Sequence, residues 1–459
     1  MKDIEDKEMH IFAKAINKYI NLLNSQMEAF PIIMNTLVFR LKACTERMNH
    51  FMDENGIKQV KNDNNVTITV PYNINKEFIR YNKEINQSLA AIQLIPKNVV
   101  VAFVSIYDAF LSDIIEGIYK ICPELLNTCE KEYSFSDIIK FSSLDEIKEH
   151  IIEKEVESVL RESHIKQFEW LSRKINVKLT EDLPNYKHFI EITERRNLFV
   201  HTNGKISRQY LTMVSEKGDK ACIDPNIKLG ETLDASPEYV IHCYKILFEI
   251  GVKLGQVVWR KLDEKNSLEE ADGHLIDIIY ELLKNKKYNL GIILSEFATK
   301  SYIKDYNKSN ELVKCINKSL AYYLNDNKEK CRSIINSIDW SATDYRFKLA
   351  AAVLEEKYAD ACELMKRIGN SDDMMEAYRE WPLFSNFRES ELFKDTFKEI
   401  YKIDFNYVEI KPLEWEDIIK GAIEYFNVKS NHHECEDMEY NEDESIDSTF
   451  TDESVINPN

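Results

Sequence analysis

PNYKHFIEITERRNLFVHTNGKISRQY, residues 184–210, is the segment from which the rest of the chain is best read. Its apolar residues recur at helical rather than alternating spacing. On a wheel of 100° per residue, Tyr186, Phe189, Ile190, Ile192, Phe199 and Val200 fall within one arc about 180° wide. Pro184 suits a first helical turn and Asn203-Gly204 suits a helix end, so the segment predicts one helix with a defined start and stop. Arg196 falls near the middle of the apolar arc, Asn197 lies inside it and His201 sits just past its edge. Arg195, Glu191 and Glu194 point elsewhere. Buried charge is costly unless it is paired or serves a cleft. That singles out Arg196 over Arg195, which can pair with Glu191 one turn earlier.

The surrounding composition agrees with a helical protein. Of 459 residues only 11 are glycine and 10 proline. Folds with many turns spend both residues, so their scarcity argues against a sandwich, a barrel or a glycine-cradled nucleotide fold. The expected class is all-α: a helical bundle core followed by helical hairpins. Net charge is −19, and ten acidic residues lie between Glu434 and Glu453. The remaining body is only mildly acidic, which disfavours coating a long duplex but leaves room for a small basic site. Nine cysteines, odd in number and without a CxxC pair, read as reduced thiols of a cytoplasmic protein. The N-terminal Met1-Lys2-Asp3-Ile4-Glu5-Asp6 is charged where a signal peptide would be apolar. The most apolar stretch, Val99 to Leu111, is interrupted at Asp108 and too short to span a bilayer, so no membrane association is expected.

Four regions follow along the chain. Residues 1–70 read as an N-terminal helical segment with a break at Pro31, then a linker with a short strand around Val66–Val70. Residues 71–263 read as a helical domain with long helices near 98–120, 145–174, 184–203 and 237–263. In 268–428, the segments 282–297, 324–338 and 354–368 each run from a polar corner into a small residue (Gly291, Cys331, Ala361) and an apolar run. That resembles a degenerate tetratricopeptide-type array, whose stacked hairpins usually bind a partner or trigger. Residues 429–459 form an acidic tail expected to be disordered.

No phosphate-binding loop, dinucleotide fingerprint, zinc-protease or nucleophile-elbow pattern is present, and no cofactor or metal is expected. His432, His433 and Cys435 lie in the tail and read as solvated. Asp404, Glu409 and Lys411 fit the loose D…ExK pattern of metal-dependent nucleases, but that fold needs a mixed sheet. His164 is expected at the surface, and Asp108 as a buried partner of Arg196 or part of a polar seam.

Arg196-x4-His201, with the polar Asn197 after the arginine, resembles the core motif of the HEPN superfamily. The run ERRNLFVHTNG (194–204) is similar to the defence-associated type, preceded by helices resembling VSIYDAFL (104–111) and EVESVLRESH (155–164). The resemblance covers roughly residues 70–260. It departs from the toxin variant that carries a tyrosine two residues after the histidine, because Asn203 stands there. It implies a metal-independent endoribonuclease acting as a homodimer on RNA such as tRNA, toxin-like in antiphage defence or growth arrest. His201 would be the acid or base, Arg196 the phosphate group and Asn197 an orienting donor, with Asp108 and Glu191 supporting. Metal-free RNA cleavage needs a proton acceptor for the 2′-OH and positive charge at the phosphate, which histidine and a planar arginine supply. Lys187, Arg195, Lys205 and Arg208 would hold RNA, since the 185–210 window is basic within an acidic chain. The competing reading is a non-catalytic adaptor whose core dimerises and whose hairpins bind protein.

Overall fold

The long first helix, α1 (Ile11–Glu54), runs through Pro31 without breaking. Proline removes one backbone hydrogen bond and crowds the preceding turn, but Pro31 is buried between Phe30 and Met34, where apolar packing holds the helix together. The expected break is absent. A computed structural model describes residues 9–57, 59–62, 65–128, 134, 138, 140–181, 183–218, 227–406 and 420, with backbone alone at 59–62 and 65–67. Strands β1 (Gln59–Asn62) and β2 (Asn65–Ile68) form an antiparallel hairpin. The chain then returns along α1 as α2 (Asn75–Ile121), which runs through Pro96 in the same way. Lys18–Asp113 near one end of this pair and Arg47–Glu84 near the other hold one antiparallel register. By length and composition the stretch Tyr72–Ile121 could cross a bilayer. From Val99 onward it carries a continuous series of core residues, including Phe103, Tyr107, Phe110 and Ile114.

The region expected as one helix at 145–174 is two, α3 (Leu144–Leu160) and α4 (His164–Ile175), with the Ser163 hydroxyl capping the second. Helix α5 (Tyr186–Thr202) ends at Asn203, which is left-handed (φ 52°), followed by Gly204 (φ 90°). The close approach of the Leu233 carbonyl excludes a side chain at Gly204. A short helix α6 (Arg208–Glu216) follows, and the backbone at Lys205 makes an isolated antiparallel β-bridge with Thr232. Helix α7 (Pro237–Lys284) is kinked at Asp263 and Ser267. At the kink the Trp259 indole donates to Ser267 (2.7 Å), and His10 stacks on that indole while meeting Asp263 at 3.1 Å.

α1, α2 and α7 pack against one another, and small residues set how closely. A Cβ on Gly251 would lie 2.1 Å from the Tyr19 ring, and one on Gly255 2.6 Å from Ile16. Tyr19 donates its hydroxyl to the Leu247 carbonyl at 2.7 Å. One continuous apolar core runs from Phe12 to Tyr401, and a small second cluster of Met48, Met52, Ile57 and Phe78 lies by the β-hairpin.

The remaining α-helices among the described residues are α8 (Tyr288–Ala298), α9 (Lys308–Leu324), α10 (Lys328–Asn336), α11 (Tyr345–Leu354), α12 (Tyr358–Ile368), α13 (Asp372–Glu380) and α14 (Glu391–Tyr401). Three corners, α7–α8, α9–α10 and α11–α12, share one geometry. Lys286, Asp326 and Glu356 each adopt φ near 60°. The next amide donates back across the corner: Lys287 to Leu282 (2.8 Å), Asn327 to Tyr322 (2.9 Å) and Lys357 to Ala352 (2.9 Å). This closes the helix ends as a left-handed cap does. Five residues after each of these positions comes Gly291, Cys331 or Ala361, all buried. Asp272, fully buried, ties the kinked part of α7 to this array by accepting from Arg260 (3.0 Å), Asn310 (2.9 Å) and Lys314. The class is all-α, with one two-stranded hairpin.

Candidate functional site

Helix α5 is packed by α2, α4, α6 and α7, and that changes the wheel reading of its charges. Residues 189–195 are all buried, whereas Val200, placed on the apolar arc, is 51% exposed. A wheel assumes one dry face and one wet face. The middle of this helix has no wet face.

Glu191 and Arg195 are therefore internal. Glu191 is 0% and Arg195 6% exposed. The Glu191 carboxylate accepts from Arg195 Nε at 2.6 Å and Tyr210 at 2.7 Å on one oxygen, and from Tyr239 at 2.8 Å on the other. The guanidinium also lies 3.9 Å from the centre of the Tyr239 ring. Burial pushes the hydroxyls of Tyr210 and Tyr239 well above the usual tyrosine range, with the Glu191 carboxylate adding to the effect. This lock joins α5, α6 and α7. Arg195 cannot reach RNA from inside it, and the expectation of an RNA-binding Arg195 is corrected: its partner Glu191 faces the core.

Arg196 lies half-buried on another side of α5. Its Nη2 donates to Asp108 Oδ2 at 3.0 Å and its Nη1 to Asn197 Oδ1 at 3.2 Å. The other Asp108 oxygen meets His164 Nε2 at 3.0 Å. Asp108 is thus shared by α4 and α5 from its place on α2. Glu194 stands by the same group: burial raises its carboxyl above the usual range, and the nearby His164 ring and Asn197 amide only partly offset this. Arg196 Nε and the Tyr107 hydroxyl are buried without a hydrogen-bond partner among the described residues.

His164, expected at the surface, is buried, its ring edge-on to Phe189. The signal was present in the sequence. His164, Gln167, Phe168, Leu171 and Ile175 form one helical face, and all five are buried.

His201 is exposed on the last turn of α5 and makes no hydrogen bond or ion pair among the described residues. On a regular helix it lies about 140° around and ~7.5 Å along from Arg196. Lys187, Lys205 and Arg208 are exposed. The structure thus joins Arg196, Asn197 and Asp108 with His164 and Glu194, and gathers none of His201, Lys187, Lys205 or Arg208 with them.

Elsewhere, Asp404 is exposed and pairs with Lys398 at 2.7 Å. Glu409 and Lys411, His432, His433 and Cys435, and the tail 429–459 lie outside the described residues. Among the described residues no three His, Cys, Asp or Glu side chains group as metal ligands would. A cavity of about 550 Å³ opens between residues 177–181 and 183, α7 and the loop after α8, lined by Leu179, Leu254, Phe297, Ile303, Lys261 and Lys304, and by neither Arg196 nor His201. Compared with known proteins, the chain matches no family model, no curated protein and no solved structure.

Proposed function

We propose that the chain is a metal-independent endoribonuclease of the HEPN type, working as a homodimer and toxin-like in antiphage defence or growth arrest. The observation that carries this reading is the setting of Arg196: a guanidinium about a quarter exposed and oriented by Asp108 and Asn197, on the same helix as the exposed His201. Two of the five guanidinium hydrogens are taken by these partners, which leaves others on the Nη atoms for a phosphate oxygen. In the reaction a base removes the 2′-OH proton and the 2′-oxygen attacks phosphorus. The 5′-oxygen leaves with a proton, giving a 2′,3′-cyclic phosphate and a 5′-hydroxyl. His201 takes or returns the proton, and Arg196 steadies charge growing on the phosphate.

A second reading, the non-catalytic adaptor, draws support from the Asp108–Arg196 ion pair, which gives Arg196 a structural role, and from the repeated hairpin corners at 286, 326 and 356. One experiment separates them: incubation of total RNA and tRNA with the full chain in EDTA, beside Arg196→Ala, His201→Ala and Asp108→Asn. Cleavage by the wild type alone, leaving cyclic-phosphate ends, supports the nuclease. Cutting only with Mg²⁺ and unaffected by these changes refutes it. If no RNA is cut and Arg196→Ala merely lowers stability, the adaptor stands.

A further inference from the structure

The cavity between residues 177–181 and 183, α7 and the loop after α8 is larger than a packing gap. Its volume, about 550 Å³, falls in the range of roughly 300–1,000 Å³ that small-molecule sites occupy. Leu179, Leu254, Phe297 and Ile303 line it and are all buried, which gives it an apolar body. Along α7, Lys253, Val257 and Lys261 follow at intervals of four, on one face of the helix. Lys253 is 6% exposed, Val257 is half-buried and Lys261 is exposed, so that face runs from the interior to solvent.

Charge is distributed unevenly across this wall. Five cations line it, Lys178, Lys253, Arg260, Lys261 and Lys304, against two carboxylates, Glu181 and Glu264. Glu181 pairs with Lys178 and Glu264 with Lys304. The partners of Lys253 and Arg260 are Glu249 and Asp272, both fully buried and neither of them on the wall. These two ion pairs therefore present their positive ends to the cavity. Lys261 makes no ion pair or hydrogen bond among the described residues, so its charge is in excess. In an apolar hollow such a wall favours a negative group. Lys253 also has donors to spare. An ammonium carries three hydrogens, and among the described residues Glu249 is its one acceptor, with the Phe297 ring centre 5.9 Å away. Glu249 is held from the other side, where it accepts from Asn185 Nδ2 at 2.6 Å.

We propose that the cavity binds a small apolar carboxylic acid. Its carboxylate accepts from Lys253, and its apolar body lies along Leu254, Val257 and Ile303. A polyphosphate is disfavoured, because neither a glycine nor a helix N-terminus is among the lining residues and four of the five cations are already paired.

The site does not depend on the endoribonuclease reading. The test is isothermal titration calorimetry of the full chain with decanoate and 2-naphthoate, beside decanol, decyltrimethylammonium and ATP, all below micelle formation. The expected result is one site per chain for at least one of the acids, roughly tenfold or more tighter than decanol, and no binding of the quaternary amine. Val257→Trp fills the cavity and leaves the Lys253–Glu249 pair intact, so it should abolish acid binding at unchanged helicity. Lys253→Met should reduce the acid to the affinity of decanol. That variant leaves the buried Glu249 short of a partner, so if its helicity falls the decision rests on Val257→Trp. A wild type that binds neither acid, decanol or the amine bound as tightly as the acids, acid binding unaffected by Val257→Trp, or a preference for ATP would each overturn the proposal.

Discussion

Arg195 and Arg196 are neighbours in sequence, and the structure gives them opposite energetic weight. Arg195→Ala removes the charged partner of a fully buried Glu191. Breaking a buried pair on one side costs about 3–5 kcal/mol, because the remaining charge is left uncompensated. Two tyrosine hydroxyls still donate to Glu191, which places the expected loss toward the lower end of that range. Arg196→Ala removes a partner from an ion pair whose side chains are both about a quarter exposed. Screening limits its contribution to about 1 kcal/mol or less, and Asp108 keeps its bond to His164. The assay is urea unfolding followed by circular dichroism for both single variants. A double variant, Glu191→Leu with Arg195→Met, removes both charges together. It should recover part of the loss, since an apolar pair of similar volume is often neutral, less about 1 kcal/mol for each tyrosine hydroxyl left without its acceptor. If Arg195→Ala costs no more than Arg196→Ala, α5 is rotated from the orientation described, and the wheel assignment of Arg196 as the packed arginine regains its force.

Gly251→Val should destabilise by about 1–3 kcal/mol or more, because the new side chain meets the Tyr19 ring; thermal unfolding against a Gly273→Ala control, where nothing lies nearby, reads the difference. Burial lowers His274 to about 4, with the Arg260 charge acting in the same direction and Glu270 opposing. Its ring is bonded on both sides, to Gln256 at 3.1 Å and Asn17 at 2.9 Å. The unfolded chain then binds a proton that the folded one refuses, so stability is full above pH ~6.5 and falls as pH drops toward 4, by about 3 kcal/mol in all. His274→Gln should flatten that limb of a stability–pH profile, and an unchanged limb would assign it to other groups. Asp326 holds φ 60° at a hairpin corner, so Asp326→Gly should raise stability by a few tenths to about 1 kcal/mol, read as a higher melting temperature.

Much of the architecture was legible because it rests on short-range physics. Few glycines and prolines and a 3.6-residue apolar period report backbone sterics and local burial, and these predicted the helices. The end of α5 at Asn203-Gly204 follows from the left-handed turn that such a pair accepts. The hairpin corners show as a polar step followed five residues later by a small residue, since only small side chains let the paired helices approach there. Pro31 was misread for a related reason: its local cost is real, and only the surrounding core outweighs it.

What local pattern could not specify was which groups meet. Asp108 joins His164 across 56 residues of chain and Arg196 across 88. Glu191 meets Tyr239 across 48. A periodic pattern shows that a helix has an apolar side, but not how many neighbours surround it. Four helices enclose α5, so its central charges turn inward and pair with groups brought from α2, α6 and α7. The low polarity of that interior makes each pairing obligatory, and the packing of whole helices selects the partner.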